Sequence, residues 1–293
     1  MRTAGTTNHG IVPPLKWFGG KRYLAERVIA LMPRHLSYCE AFFGGGQVLF
    51  RRDLADRRLW WDGLTSDGRR ADGVSEVIND IHTDLMVFYQ VLKDPALFEK
   101  LRALLDLTLF SRAEWQQACR ALAAQGGEPW VRAAALFTRY RQSYAGRGDT
   151  FTPTERTRLR GGRNGGVNAW LGAVDGLPAV HERLKNVVVL NKDAVEVIAS
   201  EDGPATLHYL DPPYVHAART ADDDYQHEMA EADHLRLLDT VRGCRGKVIL
   251  SGYANELYDR ELASWNRHSV EVPNHAAGGS SKRRMTEVLW CNF

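Results

Sequence analysis

At 293 residues and 44% hydrophobic, the chain can bury a substantial core, and its length suits one large domain carrying a smaller insert. Its 38 Lys and Arg against 36 Asp and Glu leave a net charge of +2, which excludes whole-chain electrostatics as the basis of nucleic-acid binding and leaves only local clustering. Cys39, Cys119, Cys244 and Cys291 stand far apart with no C-x-x-C pair, which argues against a zinc site or a disulfide framework and for reduced thiols in a cytoplasmic protein; no run of about 18 apolar residues is present to span a membrane.

Residues 1–14 lack the apolar stretch of a signal peptide and read as a flexible arm. Over 23–31 apolar residues recur at helical spacing, and the run stops at Pro33, which cannot continue a helix. The stretch 36–43 is apolar and aromatic and enters Gly44-Gly45-Gly46, then a helix-like 47–54. This reads as strand, glycine turn and helix. Residues 76–80 predict a second strand ending on an acid, followed by a helix over 84–92. Two βα units in tandem imply a parallel sheet. Between them, 59–73 is rich in Asp, Gly and Arg, holds Trp60-Trp61, and reads as a surface excursion.

From Pro95 to about Ala124, and again over 129–144, the pattern is helical, so a second domain is expected from 95 to 185. Between positions 130 and 170 eight arginines face only Asp149 and Glu155, a local net of about +6 (eight minus two), with Tyr140, Tyr144 and Phe151 interleaved. That is a nucleic-acid footprint, with Arg139, Arg141, Tyr144, Arg147, Arg160 and Arg163 as candidate DNA contacts; an ordinary solvated loop is the bland alternative. Strand-like runs return at 187–190, 206–210, 248–251 and 288–293, with a helix over 230–241, so the α/β domain of 15–94 resumes over 186–293.

Asp211-Pro212-Pro213-Tyr214 follows an apolar strand at the position where open α/β sheets bind ligands. Two prolines fix φ and remove two N–H donors, holding the strand tip rigid. An exocyclic amine on a nucleobase is a poor nucleophile because its lone pair is delocalised into the ring. A carboxylate (Asp211) and a carbonyl (Pro212) accepting from its hydrogens would localise that pair, and an aromatic face (Tyr214) would hold the base. Upstream, Glu40-Ala41-Phe42-Phe43-Gly44-Gly45-Gly46 would let a ligand lie against bare backbone, and Asp80 could accept from ribose hydroxyls. Leu49, three positions after Gly46, breaks the G-x-G-x-x-G pattern of nicotinamide cofactors, and no P-loop is present. S-adenosylmethionine has no phosphate, and its ammonium and sulfonium charges favour acids and rings such as Glu40, Phe42 and Phe43.

With Lys16-Trp17-Phe18-Gly19-Gly20-Lys21 at the front, these blocks resemble the Dam-type (D12 class, alpha group) adenine-N6-specific DNA methyltransferases, whose order is K-W-x-G-G-K, a glycine motif, a recognition domain and D-P-P-Y. Glu40 to Gly46 resembles E-P-F-x-G-x-G, Ile78-Asn79-Asp80-Ile81 resembles I-N-D-I-N, and Ser251 and Glu287-Val288-Leu289-Trp290 are similar to the family too. The resemblance implies a Rossmann-like class I methyltransferase sheet with an inserted, mainly helical target-recognition domain. It also implies S-adenosyl-L-methionine as donor, S-adenosyl-L-homocysteine as product, and Trp17, Lys21, Glu40, Phe42, Gly44, Gly46, Asp80, Ile81, Asp193 and Asp211 as donor contacts. Departures are Ala41 in place of the usual proline, the 59–73 stretch, and 139–146, which matches the base-reading segment only loosely.

The expected reaction is direct in-line methylation of adenine N6 in a flipped-out base of duplex DNA, with Asp211, Pro212 and Tyr214 catalytic and no metal or catalytic cysteine. Cytosine N4, RNA, or a catalytically inactive DNA-binding relative are the alternatives. A monomer or weak dimer is expected, in a bacterial, plasmid or phage setting, with a cognate restriction endonuclease as a candidate partner.

Overall fold

The computed structural model describes residues 11–17, 23–152, 159–160, 162–214, 229–273 and 284–293. Its described residues group into two compact units, one drawn from Met1–Ala25, Gly44–Asp56 and Val87–Asn186, the other from Glu26–Phe43, Arg57–Met86 and Val187–Phe293.

The second unit holds a sheet. In chain order its strands are β1 (Ser37–Glu40), β2 (Ser75–Asn79), β5 (Val187–Leu190), β6 (Thr206–Leu210), β7 (Lys247–Tyr253), β8 (Asn266–Pro273) and β9 (Arg284–Cys291); a two-stranded hairpin of the other unit, β3 (Leu159–Arg160) and β4 (Arg163–Asn164), intervenes in sequence. Among the described residues seven strands run in the order β5-β2-β1-β6-β7-β9-β8. The first five are parallel, and β9 pairs antiparallel with both β7 and β8. This is the expected Rossmann-like methyltransferase architecture. All five residues of β6 are buried, as expected of a central strand covered on both faces. The strand order reverses between β1 and β6, and ligands in such sheets bind at the carboxyl ends beside that point.

Helix α1 (Ala25–Leu31) precedes β1, and α2 (Thr83–Lys93) follows β2. Along α9 (Glu231–Arg242), His234, Leu237, Leu238 and Val241 form one buried stripe at helical spacing. They pack with Val197 and Ile198 of α8 (Ala194–Glu201), Tyr258 of α10 (Glu256–Glu261), and Cys39, Leu210, Val248 and Trp290 of the sheet.

The first unit is mainly helical: α3 (Pro95–Leu107), α4 (Arg112–Ala123), α5 (Pro129–Arg141), α6 (Gly165–Asp175) and α7 (Leu177–Leu184). Asp94 and Ser111 cap α3 and α4 by accepting from Leu97 N and Glu114 N, and proline begins α3 and α5, where a missing N–H costs nothing. Ala133 to Thr138 of α5 are all buried, and Phe137 meets Phe88 and Trp170 at ring distances of 6.0 and 5.3 Å.

Two expectations change, and two features were not foreseen. The helix over 47–54 is only a 3-10 turn, Leu49–Arg51, because Val48, Leu49 and Phe50 are buried consecutively and demand an interior segment, not a one-sided stripe. The long edge strand β8, Asn-Arg-His-Ser-Val-Glu-Val-Pro, has no apolar run to announce it. The helices at 165–175 and 177–184 follow a segment read only as arginine- and glycine-rich. Of the expected 1–14 arm, residues 1–10 lie outside the described residues, whereas Pro13 and Pro14 are buried and so form no part of an arm. No described helix is long and apolar enough to cross a membrane.

Candidate active site

Four adjacent parallel strands each deliver one acid at or just beyond the carboxyl end. In sheet order they are Asp193 after β5, Asp80 after β2, Glu40 closing β1 and Asp211 after β6. Main-chain register fixes this grouping: Glu40 stands level with Ile78 and Tyr209, one residue before the strand-end positions that Asp80 and Asp211 follow.

Each acid has a defined setting. Glu40 is buried and accepts from the Tyr38 hydroxyl at 2.5 Å. Asp80 accepts from His82 N at 3.0 Å, and its carbonyl accepts from Asn191 Nδ2 at 2.7 Å. Asp193 caps α8, its Oδ1 accepting from Val195 N and Glu196 N at 3.0 and 3.2 Å and pairing with Arg236. Asp211 accepts from Ser251 Oγ at 2.8 Å; that hydroxyl also lies 3.2 Å from the Leu210 carbonyl and 3.4 Å from the Tyr209 hydroxyl. Burial, with Asp211 nearby, pushes the Tyr209 phenol well above its ordinary value, so it remains protonated beside the carboxylate.

Asn79, buried at the end of β2, is a residue whose work the sequence reading missed. Its Nδ2 donates to the carbonyls of Ala41 and Lys192 at 3.1 and 3.0 Å, and its Oδ1 accepts from Lys192 N at 2.9 Å. Three strand-end segments, after β1, β2 and β5, are thus laced together by one side chain whose two N–H groups are both used. The only sequence signal was its place beside Asp80 in the I-N-D-I segment.

Tyr214 is buried, donates its hydroxyl proton to Glu287 Oε2 at 2.7 Å and meets Tyr253 edge to face at 4.4 Å. Glu287 and Tyr253 are themselves opposite one another in the β7–β9 pair. Strands β7 and β9 therefore brace both ends of the Asp-Pro-Pro-Tyr tip, through Ser251 at Asp211 and through Glu287 and Tyr253 at Tyr214. Pro212 is buried, Phe42 is half-buried, and Ile81 is exposed.

In the other unit, Gly44 and Gly46 take positive φ of 49° and 67°, which side chains disfavour, and a Cβ on Gly45 would stand 2.6 Å from Trp17 Cβ. Trp17 also meets the Tyr140 ring at 4.6 Å. Lys21 lies outside the described residues.

The expected DNA contacts divide. Tyr144, Arg147 and Arg163 are exposed. Arg139 Nε donates to the Gly148 carbonyl at 2.8 Å. Arg141, expected to grip phosphate, is turned inward: its Nε and Nη2 donate to the Pro14 and Pro13 carbonyls at 2.5 and 2.9 Å, and burial lowers its pKa to about 10. Arg160 lies in β3 by its backbone, and its side chain is outside the described residues.

The family described as D12 class N6 adenine-specific DNA methyltransferase matches this chain over residues 17–118 and 173–274. A curated relative, Type II methyltransferase M1.LlaDCHI of Lactococcus lactis subsp. cremoris, is 25% identical over 298 residues, covering 96% of this chain and 95% of that protein.

Proposed function

The chain belongs to the D12 class of N6 adenine-specific DNA methyltransferases, and from that premise we propose that it transfers the methyl group of S-adenosyl-L-methionine to adenine N6 in duplex DNA after the base flips out of the helix. The observation that carries this reading is the braced tip: a carboxylate oriented by Ser251 and a ring oriented by Glu287, on one rigid tetrapeptide at the reversal of strand order.

The residues suit the donor. Its adenosine and methionine parts carry hydroxyls, an ammonium and no phosphate, and the acids Glu40, Asp80 and Asp193 with Phe42 offer acceptors and a ring where a phosphate cradle would be useless. The resemblance adds Trp17, Lys21, Gly44, Gly46, Ile81 and Asp211. When bound, the donor supplies a methyl group activated on sulfonium and leaves as S-adenosyl-L-homocysteine.

The chain's own task is to make N6 nucleophilic. Asp211 and the Pro212 carbonyl accept from the N6 hydrogens and localise the lone pair, and Tyr214 stacks on the base, its plane fixed by the bond to Glu287. After transfer the surplus N6 proton leaves by way of Asp211. No covalent enzyme intermediate is required, because the nitrogen attacks with its own lone pair. Arg147, Arg163, Tyr144 and Arg139 meet the duplex, with Arg160 among them and Arg141 shaping the segment from within. A cytoplasmic setting accords with four free thiols. A cognate endonuclease and a monomeric or weakly dimeric state complete the proposal.

The test is methyl incorporation from labelled donor into adenine-containing duplexes, with the product nucleoside identified by mass. N6-methyl-2′-deoxyadenosine from wild type and none from Asp211→Ala is expected; equal incorporation by both proteins, or N4-methyl-2′-deoxycytidine as product, overturns the reading.

A further inference from the structure

His208, the central residue of β6, is fully buried, and it meets the turns that precede β6 and β7. Neither of its ring nitrogens has a partner within 3.5 Å, and Nε2 faces the Asp202 carboxylate just beyond that distance. A buried imidazole with both nitrogens unsatisfied is costly and calls for an explanation, of which an ion is one. Two further donors converge on it. The ligand atoms of Asp202, His208 and Cys244 all lie within 4.8 Å of one another. Asp202 Oδ1 is 3.6 Å from His208 Nε2, too long for a hydrogen bond.

That spacing is close to what a shared tetrahedral ion requires. Metal bonds of roughly 2.1 Å to nitrogen and oxygen place those two atoms about 3.4 Å apart. The carboxylate is already oriented: Oδ1 and Oδ2 accept from Gly246 N and Arg245 N, each at 2.9 Å, which leaves lone pairs directed elsewhere and gives the kind of backbone support that metal-bound carboxylates carry. Cys244 precedes these two amides in the same turn, and its Sγ donates to the Thr240 carbonyl at 3.6 Å, a weak contact that a metal–sulfur bond would replace.

We propose that Asp202, His208 and Cys244 form a binding site for a thiophilic divalent cation, zinc by preference, with carboxylate oxygen, imidazole nitrogen and thiolate sulfur as ligands and solvent in the fourth position. On binding, the Cys244 proton is released to solvent and the metal–sulfur bond takes its place. The site joins the turn before β6, β6 itself and the turn before β7, so its role is to tie these segments together; it takes no part in methyl transfer. Cysteine spacing gave no sign of it, since its three donors come from three separate segments.

The experiment uses the full chain with zinc alone and cobalt alone as probes. Expected are uptake of one zinc per chain, a cobalt complex with thiolate-to-metal charge-transfer absorption, and a higher melting temperature with zinc than after chelation. Zinc should also shield Cys244, but not Cys119, from alkylation. His208→Gln and Cys244→Ser should each lose the uptake, whereas Cys119→Ser should keep it. No stoichiometric uptake by wild type, a cobalt spectrum lacking the thiolate band, or uptake that survives both His208→Gln and Cys244→Ser overturns the site. The wild-type readings need no variant to fold.

Discussion

Ser251 Oγ donates to Asp211 Oδ1 across 2.8 Å, from the strand beside the one that Asp211 follows. Removing it leaves the carboxylate in place but free to turn. Ser251→Ala should lower the single-turnover methylation rate on the order of tenfold, about 1.4 kcal/mol, with donor affinity unchanged. Ser251→Thr, which keeps the hydroxyl, should recover most of the loss. An unchanged rate in Ser251→Ala would remove Ser251 from the mechanism.

Glu287 and Tyr214 form a pair that a double-mutant cycle can weigh. Glu287→Gln retains an acceptor for the phenol and should stay near wild type, whereas Glu287→Leu and Tyr214→Phe should each slow transfer. Their coupling energy should be on the order of 1 kcal/mol. Full additivity of the two substitutions would mean that the bond does not serve the reaction.

Asn79→Ala deletes one buried and two part-buried hydrogen bonds and leaves two carbonyls and an amide without their partner. Chemical denaturation should register a loss of about 3 kcal/mol. A loss under about 1 kcal/mol would show that water repairs the gap.

Gly45→Ala introduces a Cβ that collides with Trp17 Cβ at 2.6 Å. Trp17 must shift, and donor affinity measured by calorimetry should fall roughly tenfold. Wild-type affinity would remove Trp17 from the donor-contact set.

Burial pushes the Cys291 thiol up to about 12 and raises Cys39 further. A raised thiol pKa means less of the reactive thiolate at any lower pH, and burial also bars the reagent. Iodoacetamide followed by mass spectrometry should leave Cys39 and Cys291 unmodified in the folded chain and label them after unfolding. Rapid labelling of either in the folded chain would contradict this.

The strands were legible where burial on both faces leaves a continuous apolar run, as in Val187–Leu190 and Thr206–Leu210. Asn266–Pro273 was not, because an edge strand needs no such run. The acids at the strand ends could be picked out by position and motif, and the seven-stranded sheet puts them on adjacent strands. What their supports do could not be read that way: Ser251 and Glu287 stood out only as similar to the family and Tyr253 not at all, and the three reach the tip through the β6–β7 and β7–β9 pairings, separations of 39 residues or more from the side chains they hold. The setting of Arg141 was hidden for a related reason. Arginine clustering reports charge, whereas the direction of a side chain depends on the carbonyls folded near it, here those of Pro13 and Pro14.

The excursion between β1 and β2 is tied at its base to His35, and its tip satisfies itself. Thr65 N donates to Arg69 O, Gly68 N donates to Thr65 O, and Gly68 takes the positive φ that closes the turn, while Leu64, Ser66, Asp67, Gly68, Arg69 and Arg70 are all exposed. Nothing at the tip holds a strand end in register. A foreign peptide or fluorescent reporter spliced in at Gly68 would therefore cost little beyond loop closure, about 0.6 kcal/mol for each doubling in length. That makes this tip the natural port for tagging the protein without disturbing its four acids.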